Sequence, residues 1–277
     1  MTVSDRACAL AFSVKHPRSS FVDSSVVLFA CSPSGVSSFL CELAGPAPRL
    51  SQLSFASFDR VPVSLTVVEG LGVAVGDAAG KVSLLGSAGS AVNETSVGKG
   101  TVEALCLLSG ERLVCSCDDS LVWGDGGTVA QLGWTAAALA TVDTFSVCAV
   151  GRRMAIHDTR MHKTALLAPL PAAGVSVAVG EARHVLVGLT NGTALQIDLR
   201  RPSEAGALVS QHSSVGPVAV ALGVTERYSA GRDGVVARDG VKIANAGGPV
   251  LSVASESRLH ALAASTATGR IWLAAQK

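Results

Sequence analysis

Aromatic side chains are scarce in this chain: one tyrosine, three tryptophans and seven phenylalanines in 277 residues, or 4%. After Phe145 only Tyr228 and Trp272 remain. That is too few for the stacked platform with which proteins hold single-stranded nucleic acid, so any RNA binding is expected to be weak and salt-sensitive. Long apolar runs are missing as well. The longest, such as VVLFAC (26–31) and AAALATV (136–142), fall far short of the ~20 residues a spanning helix needs, so no membrane partner is expected. No window carries the 3.6-residue apolar period of a long amphipathic helix. The opening MTVSDRACAL lacks the charged-then-apolar order of a signal peptide. The cysteines number seven, an odd count without a compact framework, which fits buried thiols in a reducing compartment, cytoplasm or nucleus.

Catalytic signatures are absent too. No serine sits in a Gly-x-Ser-x-Gly elbow, and no Cys/His arrangement marks an activated thiol, so the chain is not expected to be an enzyme. Gly70-Leu71-Gly72 followed by Gly76 imitates a dinucleotide fingerprint, but the spacing is wrong by one and DAAGKVSLL continues as turn and strand. Cys115 and Cys117 alternate on one strand face beside Asp118 and Asp119, without the second ligand pair that structural zinc wants. They read as buried thiols. His157 and His162 flank a strand end with no third ligand at metal spacing, and are expected at the surface. No cofactor, metal or small-molecule substrate is expected.

What is present is apolar and small. Hydrophobic residues make up 48% and charged residues only 16%, which excludes a disordered chain. Valine, alanine and leucine dominate, as suits strands covered on both faces. The net charge of +1 hides an asymmetry. Residues 1–150 hold 8 Lys/Arg against 13 Asp/Glu, and residues 151–277 hold 14 against 8. The basic half would suit an acidic partner or nucleic acid, and for the latter it offers Arg152, Arg153, Lys163, Arg200, Arg201, Arg232 and Arg238 as possible phosphate contacts. Ordinary scatter of solvated surface charge would give the same totals.

One phrase of about forty residues recurs along the chain. It is clearest in LVCSCDDSLVWGD (113–125), HVLVGLTNGTALQIDLR (184–200) and RYSAGRDGVVARDG (227–240). Each copy runs strand, tight turn with Asp or Asn beside Gly or Ser, second strand, then Asp. Such a period marks radial β-repeats, because one small sheet cannot bury both its faces alone. Seven units follow. Their first strands lie in 7–13, 62–68, 101–108, 136–142, 174–180, 217–223 and 249–255. Second strands lie in 26–32, 72–77, 112–117, 145–151, 184–190, 228–231 and 259–265, and third strands in 36–43, 81–86, 121–125, 153–158, 194–198, 235–239 and 270–275. The seventh unit lacks an outer strand, and MTVSDR (1–6) is expected to supply it and close the ring, removing a free sheet edge. The expected fold is all-β: residues 1–277 as a single seven-bladed β-propeller closed by the N-terminal strand.

At Asn191-Gly192 with Asp198, and at Asp233-Gly234 with Asp239, the chain resembles the WD40-repeat family, whose unit ends in an Asp-Gly turn, a five-residue strand and Trp-Asp. Departures are plain: no Gly-His pair opens a unit, and Trp123 precedes Asp125 by two positions. The resemblance implies a non-catalytic scaffold for protein–protein contacts, a subunit of a larger intracellular complex. Two consecutive units also end alike, in Asp158-Thr159-Arg160 and Asp198-Leu199-Arg200. Tandem endings of this type resemble the stretch of cullin-4 ubiquitin-ligase substrate receptors that meets the adaptor. That resemblance implies Asp158, Arg160, Asp198 and Arg200 as partner-binding residues, with arginine forks reaching carboxylates or carbonyls. The alternative is that each arginine braces its own blade by pairing with a nearby aspartate.

Overall fold

A computed structural model describes residues 9–13, 25–42, 48–68, 72–86, 91–108, 112–161, 163–180, 183–202, 204, 206–256 and 261–275. Blade 1 is built from β1 (Ala9–Ser13), β2 (Ser25–Ser32), β3 (Gly35–Glu42) and β4 (Arg49–Ser57); blade 2 from β5 (Pro62–Val68), β6 (Gly72–Asp77), β7 (Lys81–Gly86) and β8 (Ala91–Ser96). Blade 3 holds β9 (Val102–Leu108), β10 (Arg112–Cys117), β11 (Ser120–Trp123) and β12 (Thr128–Gln131). Blade 4 holds β13 (Ala138–Thr141), β14 (Ser146–Val150), β15 (Arg153–Asp158) and β16 (Lys163–Pro169). Blade 5 holds β17 (Gly174–Val179), β18 (His184–Leu189), β19 (Thr193–Asp198) and β20 (Ala207–Gln211). Blade 6 holds β21 (Ala219–Leu222), β22 (Arg227–Ala230), β23 (Val235–Arg238) and β24 (Val241–Asn245). Blade 7 shows three strands, β25 (Val250–Glu256), β26 (Ala261–Thr266) and β27 (Ile271–Ala275). Each sheet is an antiparallel meander in chain order. Gly72 and Gly76 lie in β6, hairpin partner of β5, so the dinucleotide reading has no βαβ unit to stand on.

The innermost strands pack side by side in a closed cycle, from β1 through β5, β9, β13, β17, β21 and β25 back to β1. The molecule is a seven-bladed β-propeller. Among the described residues neighbouring blades share no strand ladder; single backbone bonds such as Gly174 N–H to the Gly151 carbonyl at 2.7 Å join them, and so do hydroxyls. Ser64 Oγ donates to the Val102 carbonyl at 2.7 Å, Thr141 to Leu107 at 2.6 Å and Ser255 to Leu222 at 2.6 Å. The last joint is made the same way, with the Leu10 N–H donating to Ser252 Oγ at 3.3 Å. The expected contribution of MTVSDR lies outside the described residues.

Burial explains the composition. Second strands are enclosed on both faces, and β26 is buried at every residue. Outer strands such as β4 and β24 are largely exposed. The apolar side chains gather into seven clusters, one at each blade junction. The core is therefore a set of seams between blades, with no single centre. The cysteines sit in these seams: Cys115 and Cys117 between blades 2 and 3, Cys106 between 3 and 4, Cys148 between 4 and 5. All six described cysteines are buried, and Cys41, Cys106, Cys115, Cys117 and Cys148 are unbridged.

The seams also correct one expectation. His157 is not at the surface but 1% exposed. Along β15, Ile156 faces the seam with blade 5, so its neighbour His157 turns the other way, where it shares a groove with Leu132 and Trp134 of blade 3. Burial holds its pKa below the ordinary imidazole range. His162 lies outside the described residues.

Candidate partner-binding site

Because the strands alternate in direction, each blade's first and third turns open on one face of the ring, and its second turn and the link to the next blade open on the other. Asp158 and Asp198 end the third strands of blades 4 and 5, so both Asp-x-Arg turns lie on the first of these faces. The two turns are built alike. Asp158 Oδ1 accepts the Arg160 backbone N–H at 2.9 Å, and Asp198 Oδ1 accepts that of Arg200 at 2.9 Å. Each aspartate then takes its own arginine's guanidinium: Arg160 Nε at 3.0 Å and Nη2 at 2.6 Å, Arg200 Nε at 2.9 Å and Nη2 at 2.7 Å. Backbone bonds repeat as well, Thr159 N–H to the Phe145 carbonyl and Leu199 N–H to that of Arg183, both at 2.9 Å.

All four candidate residues are thus brought together as two intramolecular forks on adjacent blades. Both arginine side chains stay 59% exposed. One edge of each guanidinium is occupied and the other faces solvent, a fork held ready in one orientation. The Arg160 guanidinium also covers the Phe145 ring, 4.5 Å from its centroid. Hydrogen bonds from Arg160 hold the Asp158 carboxyl down to about 2, and those from Arg200 hold Asp198 well below the ordinary range. Lowered carboxyl values favour folding above the ordinary aspartate value of ~3.9, and that support is lost as the pH falls toward 2 at Asp158.

Blade 6 reaches a similar end by another route, missed in the sequence. Its Asp239-Gly240 turn, with φ of 50° and 80°, joins β23 to β24 in two residues, the primed turn that suits a twisted hairpin. Arg227, from β22, supplies the guanidinium, Nε to Asp239 Oδ1 at 2.7 Å, and its Nη1 donates to Gln196 of blade 5 at 2.8 Å. A groove of about 550 Å³ opens beside it between blades 5 and 6, walled by Leu186, Leu222 and Val224 and edged by His184, Gln196 and Glu226.

A second residue that the sequence reading did not single out is His212, in the link from blade 5 to blade 6. Its Nδ1 lies 3.0 Å from Asp233 Oδ1 and its Nε2 3.2 Å from Ser229 Oγ, which meets Ser210 Oγ at 2.7 Å. Asp233 Oδ2 accepts the Ser213 N–H at 2.9 Å. The ring lies directly over Gly231, where a Cβ would fall 2.6 Å from His212 Cγ. The network is buried and ties two blades together. Cys117 Sγ, for its part, sits 3.3 Å from the Gly100 carbonyl and 3.8 Å from Asp118 Oδ2, and burial raises its pKa. Among the described residues no group of three or more His, Cys, Asp or Glu side chains is arranged to hold a metal ion.

These features define a seven-bladed β-propeller with two arginine forks displayed on one face. No protein-family model and no curated protein sequence matches the chain. Among solved structures, the crystal structure of the WD40 β-propeller domain of Doa1 is similar, with a TM-score of 0.76 over 99% of this chain and 94% of that one. Identity between the two is 13%, so the likeness establishes the fold alone.

Proposed function

We propose that this protein is a non-catalytic scaffold for protein–protein contacts, working as a subunit of a larger complex. The observation that carries the reading is the pair of congruent, outward-facing Asp-Arg forks on adjacent blades, beside the exposed side chains of Phe145 and Met161. Binding residues concentrate on loops held by a rigid scaffold, and exposed arginine next to an aromatic ring is a frequent interface anchor. A narrower reading is a substrate receptor that meets a ligase adaptor through these two turns, supported by their equivalent positions on consecutive blades. RNA binding is the less favoured reading, since Arg200 and Arg201 already hold Asp198 and Glu204. The cytoplasm or nucleus is the proposed location, supported by the unbridged thiols.

The test is the double variant Arg160→Ala, Arg200→Ala, assayed for melting and for partner capture side by side. Exposed ion pairs contribute little to folding, so the melting temperature should stay within measurement error. Capture of its natural partners should fall, because truncating an arginine desolvated at an interface commonly weakens binding more than tenfold. A protein that melts lower yet still recovers its partners while folded would leave the forks as braces of their own blades.

A further inference from the structure

The positive charge of the second half meets different surroundings on the two faces. On the fork-bearing face, carboxylates are plentiful: Arg160, Arg200, Arg201 and Arg227 each hold one, and only Arg183 and Arg238 of its described arginines in blades 4 to 7 make no ion pair. The opposite face differs. There Arg152 and Arg153 stand at the second turn of blade 4, Arg232 at that of blade 6 and Arg270 at that of blade 7. All four are exposed, and none makes an ion pair among the described residues. Asp233 is the one acidic residue on this face of blades 4 to 7 among the described residues, and its oxygens are taken by His212, Ser213 and Val235. Linking segments 170–173, 211–217 and 246–249 carry no charged residue. Among the described residues, exposed acid on this face lies elsewhere on the ring, at Asp59 in the link from blade 1 to blade 2 and at Asp118 and Asp119 in blade 3.

Two of the arms are already placed. Arg232 runs its aliphatic stem over Gly216, where a Cβ would fall 2.9 Å from its Cδ, and the Arg270 guanidinium lies over Gly247. Arg153 lines a groove of about 350 Å³ with Trp134 and Leu167. We infer that this arc of unpaired arginines is a docking surface for an acidic, extended segment of a protein partner. Guanidinium forks match carboxylates geometrically, and unpaired cations gain most from them. An acidic peptide is favoured over RNA because this face offers little to stack on. Tyr228 is buried, Trp272 packs into the seam between blades 6 and 7, and Trp134 is partly buried against blade 3.

The inference deepens the scaffold reading and rests on it. Fluorescence anisotropy with a labelled peptide of about a dozen alternating Asp and Glu residues, at ~0.15 M salt, tests it directly. The wild-type protein should bind the peptide, and its Asn/Gln counterpart should not. The variant Arg152→Ala, Arg153→Ala, Arg232→Ala, Arg270→Ala should bind about tenfold or more weakly. A second quadruple of equal charge change on the other face, outside the two forks, Arg112→Ala, Arg183→Ala, Arg201→Ala, Arg238→Ala, should bind within about twofold of wild type. Equal losses in both would reduce the effect to net charge and overturn the surface, as would no binding at all. Labelled polyuridine bound more tightly than the peptide, through the same four arginines, would replace it with a nucleic-acid site. If the first quadruple melts early, Arg232→Ala with Arg270→Ala alone should still lose affinity. Natural partners captured by wild type and kept by the quadruple sink the surface alone; wild type that captures none sinks the scaffold reading itself.

Discussion

Phe39→Ala should unfold at markedly lower denaturant than the wild-type protein. Phe39 is 1% exposed and fills the seam between blades 1 and 7, against Leu28 and Cys41 on one side and Ala263 and Ile271 on the other. Removing a buried phenylalanine side chain costs about 3–5 kcal/mol in lost transfer energy and residual cavity. A domain holds only ~5–15 kcal/mol in all, so this single change consumes much of the margin. The seam also joins the last blade to the first. Phe55→Ala is the matched control: the ring is 50% exposed on β4, and its loss should move stability by ~0.5 kcal/mol or less. Guanidinium denaturation of the three proteins decides the matter. A Phe39→Ala midpoint close to that of Phe55→Ala would mean that the first and seventh blades are not held by this seam.

Asp233→Ala should come next in size. Burial works against the charged carboxylate, but the Val235 and Ser213 N–H groups and the His212 ring outweigh it and hold the pKa below the ordinary range. Removing it leaves a buried His212 nitrogen and two backbone donors without their acceptor. Breaking one side of such a buried pair costs about 3 kcal/mol or more. His212→Ala should cost a comparable amount, and the double variant much less than the sum, because both act through one network. Acid titration supplies an independent sign. A lowered carboxyl value stabilises the folded state fully above ~4 and is lost as the pH falls through the folded value. The wild type should therefore lose stability in that window and Asp233→Ala should lose less. Additive costs in the double variant would separate the two residues into unrelated contacts.

The strands that could be read from the sequence are those whose surroundings leave a mark on it. Second strands such as GVAVGD and HVLVGL are enclosed on both faces, so they appear as unbroken apolar runs. Outer strands were not assigned. β4, RLSQLSFAS, meets its own blade along one edge and solvent along the other, and its mixed burial gives neither a clean alternation nor a run. His212 carries no Gly-His signature, because Gln211 precedes it in place of a glycine. Its separation of 21 residues from Asp233, itself in a recognised Asp-Gly turn, was the available signal. His157 was misplaced because a strand enclosed between two blades has no solvent side even near its end. The four candidate residues were found by repetition. That each arginine would meet its own aspartate was left open beside the partner reading, since a spacing of two residues permits both. Charge totals by half chain merge two faces that the fold separates, one where carboxylates take up four of the arginines and one where the described arginines of blades 4 to 7 stand without them.

The cysteines distributed among the seams have a kinetic consequence. Cys31 lies between blades 1 and 2, Cys41 between 7 and 1, Cys115 and Cys117 between 2 and 3, Cys106 between 3 and 4, and Cys148 between 4 and 5. Burial pushes the thiols of Cys41, Cys106 and Cys148 up to about 12 and raises those of Cys115 and Cys117. Alkylating reagents attack the thiolate, so a closed seam is inert at neutral pH and reacts only while it stands open. The rate at which each cysteine is labelled then times the parting of its own pair of blades. Five of the seven joints carry such a clock, and the two flanking blade 6 keep none among the described residues.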